Sequence, residues 1–182
     1  ILVDTMEAFP TLILELLGRT RRLVRDVRIA APYGTPTNVQ IDFRQRISAR
    51  ILNGTIEVQR VEIFYDLGRL KEVLSNILRY DGCAYHVKAY CSGLKEVVPG
   101  MGGYMFDDQE FVIGGYWTGV PPHGVPGLRL SGAPFSTYFA SYWREVWRRG
   151  TYLNMRGAND LAAVRGTALQ LGLRPTQWNS FV

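Results

Sequence analysis

Apolar and polar residues alternate with two different periods along the chain, and each change of period marks a new element. From Phe9 to Val24 the apolar residues recur at steps of three and four, which predicts an amphipathic helix. From Val27 to Ala31 they alternate singly, which predicts a strand, and the turn residues that follow place Tyr33 in a loop. The chain therefore opens with a helix and a strand.

The same two patterns predict the remaining elements. Predicted helices cover Asp42 to Asn53, Leu67 to Tyr80 with Asp66 as its cap, Pro134 to Arg149, and Asp160 to Leu171, while predicted strands cover Ile56 to Phe64, Ala84 to Cys91, and Leu128 to Leu130. Tyr104 to Tyr116 predicts a hairpin that turns at Asp107, Asp108 and Gln109. This alternation predicts an α/β fold with one mixed central sheet flanked by helices.

Length and the first residues bear on the domain organisation. A chain of 182 residues, of which 47% are hydrophobic, fits one compact domain over residues 1 to 182, and we expect residues 151 to 182 to form its helical tail. The sequence starts at Ile1, and no clear cap precedes the first predicted helix. We therefore expect this domain to be the C-terminal part of a longer chain.

The charge of the chain leaves two interpretations open. A net charge of +5 and a pI of 9.4 allow nucleic-acid binding. Most arginines fall in predicted helices, however, and solvated helix faces explain them as well. The first predicted helix contains Arg19, Arg21 and Arg22, and Arg25 follows its last residue directly.

Cysteine spacing and the length of apolar runs bear on the compartment. Cys83 and Cys91 lie eight positions apart in a strand-like stretch, which is typical neither of a zinc site nor of a disulfide framework. Free thiols in a reducing cytoplasm fit better. Apolar runs such as Phe111 to Ile113 are far too short to span a bilayer, so we expect a soluble cytoplasmic protein without a membrane partner.

One glycine-rich segment, Gly100 to Trp117, resembles the motif of the phospholipase D superfamily. That family's pattern is His-x-Lys-x-x-x-x-Asp, followed after a stretch of strand by Gly-Ser-x-Asn. Without a gap, the histidine and lysine positions fall on Gly100 and Gly102, the aspartate on Asp107, and the later positions on Gly114, Gly115 and Trp117. The order of predicted elements from residue 6 to about 150 is also similar. The resemblance implies one half-domain of that fold, which in single-motif members commonly pairs into a homodimer.

The resemblance also implies a loss of the family's chemistry. In active members one histidine attacks phosphorus, a second acts as a general acid, and lysines hold the phosphate oxygens. Glycine supplies neither a nucleophile nor a positive charge. We therefore expect a domain that no longer hydrolyses phosphodiesters by that mechanism.

A His-x-Lys does occur elsewhere, at His86-Val87-Lys88, but it lacks the aspartate and the Gly-Ser-x-Asn that should follow. Its two side chains project from the same face of a predicted strand. A pair on the flank of the sheet is the favoured interpretation. If that face lined the cleft, the pair could instead bind an anion.

Glycines at the altered positions would empty the cleft and leave backbone amides accessible. Around it we expect Tyr33, Gly100, Gly102, Tyr104, Asp107, Gly115, Tyr116, Trp117 and His123. An aromatic pocket with one carboxylate suits a flat or cationic small molecule. Each aromatic residue could equally be core, and Asp107 could equally be a hairpin-turn residue.

Three functions remain open at this point. The first is a ligand-sensing or dimerising module of a bacterial transcriptional regulator, with nucleic acid bound through another domain. The second is an enzyme that uses Asp107 with His123, or His86 with Lys88, as acid and base. The third is a basic nucleic-acid-binding domain. The sequence contains no zinc cluster or nucleotide motif, so we expect neither a metal nor a cofactor.

Overall fold

The computed structural model describes residues 2–3, 8–28, 38–91, 102–113, 127–155 and 158–182. The strands in these ranges are β1 (Leu2–Val3), β2 (Leu23–Arg28), β3 (Glu57–Phe64), β4 (Tyr85–Cys91), β5 (Gly103–Phe106), β6 (Glu110–Ile113), β7 (Gly127–Ser131), β8 (Thr151–Met155) and β9 (Ala158–Asn159). The helices are α1 (Ala8–Arg19), α2 (Asn38–Leu52), α3 (Leu67–Arg79), α4 (Ala133–Arg149), α5 (Leu161–Gln170) and the short α6 (Trp178–Phe181), which follows a 3₁₀ turn at Pro175–Gln177.

The described strands form one sheet in the order β1, β7, β6, β5, β2, β3, β4, β8, β9. At its centre β2, β3 and β4 run parallel, and the other neighbouring strands pair antiparallel. Helices α2 and α3 connect the parallel strands, because parallel neighbours need a crossover connection. The predicted α/β fold with a mixed central sheet and flanking helices is confirmed.

Successive strand residues face opposite sides of the sheet, and each side has its own core. Val24 and Val58 pack with residues of α1, α2, α3 and α5. Val27 and Val61 pack instead beneath α4, against Trp143. The aromatic stripe of α4 therefore serves as core over its central part, as its helical spacing predicts.

The prediction for the first helix is wrong at its C-terminal end, which the spacing of apolar residues places at Val24. The helix ends at Arg19, and Leu23 and Val24 are the first residues of β2. These two apolar residues suit either period, so spacing alone could not separate helix from strand. As a consequence Arg21 and Arg22 lie in a turn and Arg25 lies in a strand.

The predicted helical tail is corrected at its start. Residues Thr151–Met155 form β8, which pairs with β4, and Ala158–Asn159 form the short β9. These strands cover the edge of β4, whose backbone groups would otherwise lack partners. The tail helix itself is confirmed, since Asp160 caps α5 by accepting a hydrogen bond from the Ala163 amide.

The cysteines and the longest helix complete the fold. Cys83 and Cys91 both carry free thiols, and Cys91 is buried. The longest helix of the described residues, α4, has 17 residues and ends with Arg148 and Arg149. Along the ranges given above, no helix combines the length and the apolar character that a bilayer crossing requires.

Candidate functional site

The parallel strands end along one side of the sheet, which we call the carboxyl edge. There β2 ends at Arg28, and β5 begins at Gly103 opposite Val27 because these two strands are antiparallel. The hairpin partner β6 ends at Ile113, opposite Gly103. Ligands of open α/β sheets bind outside this edge. We therefore take the carboxyl edge as the location of the predicted cleft.

The structure brings two of the predicted cleft residues to this region. Gly102, at the position aligned with the family's lysine, directly precedes β5, and Tyr104 lies within that strand. The remaining members apart from Asp107 lie outside the described residues, namely Tyr33, Gly100, Gly115, Tyr116, Trp117 and His123. Their place in a ligand site stays a prediction.

Tyr104 is half-buried and combines a packing contact with a polar one. Its ring meets the ring of Phe43 edge to face, with centroids 5.5 Å apart. Its hydroxyl oxygen accepts a hydrogen bond of 3.0 Å from Nη2 of Arg28. The ring thus belongs to the core, as one alternative predicted, while the hydroxyl holds an arginine at the carboxyl edge.

Asp107 lies at the opposite edge of the sheet, in the turn after β5. Its carboxylate accepts hydrogen bonds from the backbone amides of Arg21 (2.6 Å), Arg22 (2.9 Å) and Leu23 (2.8 Å). Its φ of 50° is in the left-handed region, which aspartate tolerates better than most residues. The length of β5, about 13 Å at the usual rise per residue, separates it from Gly102. The hairpin-turn alternative therefore describes Asp107, and we place it outside the cleft.

We expect Asp107→Asn to lower the free energy of unfolding by about 1 to 2 kcal/mol, because a neutral amide replaces a carboxylate that accepts three hydrogen bonds. Burial alone would raise the pKa of Asp107, but the bonds from Arg21, Leu23 and Arg22 outweigh it and lower this pKa. A carboxyl with a lowered pKa stabilises the fold above the unfolded-state value of about 3.9, and this stabilisation is lost as the pH falls through the folded-state pKa. Urea unfolding should show the difference between variant and wild type shrinking from pH 7 to pH values of about 3.

Asp108→Asn is the matched control for this prediction. Asp108 occupies the same turn with a φ of 61°, and its carboxylate pairs with Arg25 on the partly exposed side of the sheet. We expect a smaller loss, of about 1 kcal/mol or less, because water partly screens a pair whose side chains are 17% and 34% exposed. Equal losses for the two variants would contradict the role assigned to Asp107.

His86 and Lys88 project from the same face of β4, but not at the carboxyl edge. The Lys88 ammonium donates a hydrogen bond to the carbonyl of Trp147, near the end of α4, and lies 3.9 Å from the centroid of the Tyr152 ring. Burial lowers the pKa of Lys88. Nε2 of His86 lies 3.6 Å from a carboxylate oxygen of Glu57. The pair therefore lies on the sheet flank, as favoured from the sequence, and Lys88 holds the end of α4 on the sheet.

A group of buried charges lies between the carboxyl edge and α3, and sequence analysis missed it. We call it the charged cluster, and its members are the buried Asp26, Arg60, Glu62 and Arg69 together with the partly buried Arg28. All of them lie on the side of the sheet that α2 and α3 cover. Buried charges are costly unless they are paired, so their pairing decides whether the cluster stabilises or destabilises the fold.

Two carboxylates pair the three arginines of the charged cluster. Asp26 is buried, and its carboxylate accepts hydrogen bonds of 3.0 Å from Nε of Arg28 and from Nε of Arg60. The Glu62 carboxylate, which is also buried, accepts one of 2.6 Å from Nη2 of Arg69. The cluster is therefore a continuous chain of ion pairs from β2 to α3.

The carboxylates keep these arginines fully charged. Burial alone would lower the pKa of Arg28, but Tyr104, Asp26 and Glu62 raise it well above its ordinary value. The pKa of Arg60 is also raised, because Tyr85, Asp26 and Glu62 outweigh its burial and the neighbouring Arg28. The carboxyl edge is thus bordered by a permanently cationic side chain in a fixed position.

This chain is similar to known proteins in structure, whereas comparison of its sequence gives no match. No protein-family model matches the chain, and no curated protein matches it. Among solved structures, TrmBL2, described as an archaeal chromatin protein with a novel mode of DNA binding, aligns with a TM-score of 0.57 and 10% identity. That alignment covers 84% of this chain and 52% of TrmBL2, so this chain spans about half of that protein.

Two further structures share the fold. NucT from Helicobacter pylori aligns with a TM-score of 0.54 and 14% identity over 78% of this chain and 89% of NucT. The phosphatidylserine synthase of Haemophilus influenzae Rd KW20 aligns with a TM-score of 0.60 and 12% identity over 94% of this chain and 42% of the synthase. Both belong to the phospholipase D-like superfamily. At these identities the likeness shows the fold alone, which is that of a phospholipase D-like half-domain.

Proposed function

We propose that this chain is a non-catalytic phospholipase D-like domain that binds a small molecule at the carboxyl edge and dimerises. Its role is then that of a regulatory module in a DNA-binding transcriptional regulator. Metal and cofactor play no part in this function, and the nucleic acid is bound by another part of the regulator.

The location of the sequence's single His-x-Lys is the observation that carries the proposal. It is His86-Val87-Lys88, and Lys88 is 4% exposed beneath α4, where its ammonium already has partners. At the carboxyl edge, the position aligned with the family's lysine is Gly102, which offers no amine to a phosphate. Covalent phosphoryl chemistry needs an activated nucleophile and a positive charge near the developing oxyanion. The family mechanism therefore has no basis in these residues.

Two further observations support the regulatory role. A named DNA-binding chromatin protein shares this fold and is about twice as long as the matched region, which leaves room for a separate DNA-binding part. The resemblance to single-motif members of the superfamily supports a homodimer with two sites at the interface. Because fold does not determine function, both supports need a direct test.

Turnover and binding should be measured on the same preparation of this chain. A chromogenic phosphodiester tests hydrolysis, and a thermal-shift screen of a metabolite library, followed by calorimetry, tests sensing. We expect no hydrolysis above background, saturable binding of at least one metabolite, and a dimer mass in sedimentation equilibrium.

Other outcomes would favour the alternatives. Saturable hydrolysis would show an enzyme that uses residues outside the family pattern. Binding of random-sequence duplex DNA that weakens steeply as salt rises would favour the basic nucleic-acid-binding domain, since contacts to phosphates release counterions. A monomer throughout the measured concentration range would remove dimerisation from the proposal.

A further inference from the structure

We propose that Arg28 binds the carboxylate of a small, singly charged anionic ligand at the carboxyl edge. The inference rests on the proposed sensing function and gives the ligand's charge and the residue that recognises it. It differs in charge from the cationic ligand that the sequence suggested, because the structure changes which charges border the cleft.

Arg28 is held in place by Asp26 and Tyr104. A guanidinium has five N–H groups. Nε of Arg28 donates to Asp26, and one N–H of Nη2 donates to the Tyr104 hydroxyl. Within the described parts of the chain, the three other N–H groups have no acceptor. A fixed guanidinium with free N–H groups is suited to two parallel bonds with one carboxylate.

The side chain of Arg28 is the part of the charged cluster that lies next to the carboxyl edge. It is 16% exposed, whereas the Asp26 carboxylate that fixes it is 2% exposed. Arg28 is the last residue of β2, and its register partner is Glu62 in β3. A ligand at this edge can therefore reach the guanidinium without displacing its protein partners.

Charge counting within the cluster favours an anion. Arg28, Arg60 and Arg69 carry one more charge than Asp26 and Glu62 can balance. Glu72 also pairs with Arg69, but its side chain is 51% exposed and water screens it. The buried groups thus have an excess of one positive charge, which a single carboxylate would neutralise.

The neighbouring sequence offers few competing anions. Segments 29–37 and 114–126, which follow β2 and β6, contain neither Asp nor Glu, and segment 92–101, which follows β4, contains one Glu and one Lys, so the three segments add no net negative charge. Asp107, the carboxylate that suggested a cationic ligand, lies at the opposite edge with its oxygens occupied by three amides. Because Asp107 does not border the cleft and Arg28 does, the electrostatics of the cleft favour a negative ligand.

Three probes of the same shape test the sign of the ligand's charge. Benzoate, benzamide and benzamidinium are flat rings with a negative, a neutral and a positive substituent. In NMR titrations of the chain we expect benzoate to bind saturably, shifting the amides of Val27, Arg28 and Tyr104. We expect binding at least tenfold weaker for the other two probes, and inorganic phosphate no tighter than benzoate.

Variants of Arg28 test the contact itself. Arg28→Gln should weaken the binding of benzoate at least tenfold. Arg28→Lys keeps the charge but loses the paired N–H donors of the guanidinium, so its affinity for benzoate should lie between those of wild type and Arg28→Gln. Arg46→Gln is the control, since Arg46 also donates Nε to an aspartate but lies on the exposed face of α2. Thermal melts of each variant show that it is folded, and Arg28→Lys keeps the test valid if Arg28→Gln is unstable.

The outcomes separate this inference from the proposed function. Tighter binding of benzamidinium or phosphate, or benzoate binding unchanged in Arg28→Gln and Arg28→Lys, would overturn the carboxylate site. A metabolite bound by wild type and Arg28→Gln alike would then leave the sensing function intact. Absence of any saturable ligand in both the probe series and the metabolite screen would contradict both.

Discussion

Replacing Gly103 by alanine should lower the free energy of unfolding by about 3 kcal/mol, because the added methyl has no space. A Cβ at this position would lie 2.2 Å from the carbonyl oxygen of Val112 and 3.0 Å from the Cα of Ile113. Both atoms belong to the backbone of β6, so no side-chain rotation can relieve the overlap. The two strands must separate where they reach the carboxyl edge, and the hydrogen bonds between them are lost.

Urea unfolding measures this loss, and Gly166→Ala is the control variant. Gly166 lies within α5, and a Cβ there would meet no atom within 4 Å. Alanine in a helix interior is favoured over glycine, so we expect that variant to gain about 0.5 to 1 kcal/mol. Opposite signs for the two substitutions support the close approach of β5 and β6. A Gly103→Ala variant as stable as wild type would show that these strands are not so close.

Elements with one uniform period could be predicted from the sequence almost to the residue. The third predicted helix begins at Leu67 as expected, and its cap Asp66 accepts a hydrogen bond of 2.8 Å from the Arg69 amide. The hairpin also turns at Asp107 and Asp108 as expected. In both cases the local chemistry of the cap or turn agrees with the tertiary structure, so neighbouring elements do not override it.

The candidate site was only half predictable, because a linear motif does not say which end of a strand each residue occupies. Gly102 and Asp107 stand close in sequence, yet β5 runs between them and separates them to opposite edges of the sheet. The position of the cleft follows from the strand order, which the sequence pattern supports. The charge of the residues that border the cleft does not follow from the strand order, since it depends on which carboxylates lie at that edge.

The sequence does contain a signal for the charged cluster, but it is missed when a strand is assumed to bury only one face. In the predicted strand Ile56 to Phe64, the apolar residues Ile56 and Val58 occupy one face, whereas Val61 and Ile63 occupy the other. Such a change of phase within a strand indicates that both faces are buried. Arg60 and Glu62 then have to be buried as well, and buried charges of opposite sign require partners.

The second large effect is expected for Asp26→Asn, which should lower the free energy of unfolding by about 3 to 5 kcal/mol. The amide is nearly the same size as the carboxylate, so packing is kept. Its loss of charge leaves Arg28 and Arg60 without the anion that both contact at 3.0 Å. Arginine cannot respond by releasing its proton at accessible pH, so the repulsion between the two guanidinium groups stays in the folded state.

Asp42→Asn is the control in the urea unfolding that measures this effect, and Arg60→Met tests its cause. Asp42 also pairs with an arginine, at 2.8 Å, but the two side chains are 37% and 61% exposed, so we expect a loss of about 0.5 kcal/mol or less. If the loss in Asp26→Asn comes from uncompensated positive charge, adding Arg60→Met should cost less in that variant than in wild type. Equal losses for Asp26→Asn and Asp42→Asn would contradict a buried network, whereas strict additivity would show that charge balance is not what the Asp26 carboxylate provides. A favourable coupling would instead show that the Asp26 carboxylate stabilises the fold by balancing the positive charges of Arg28 and Arg60.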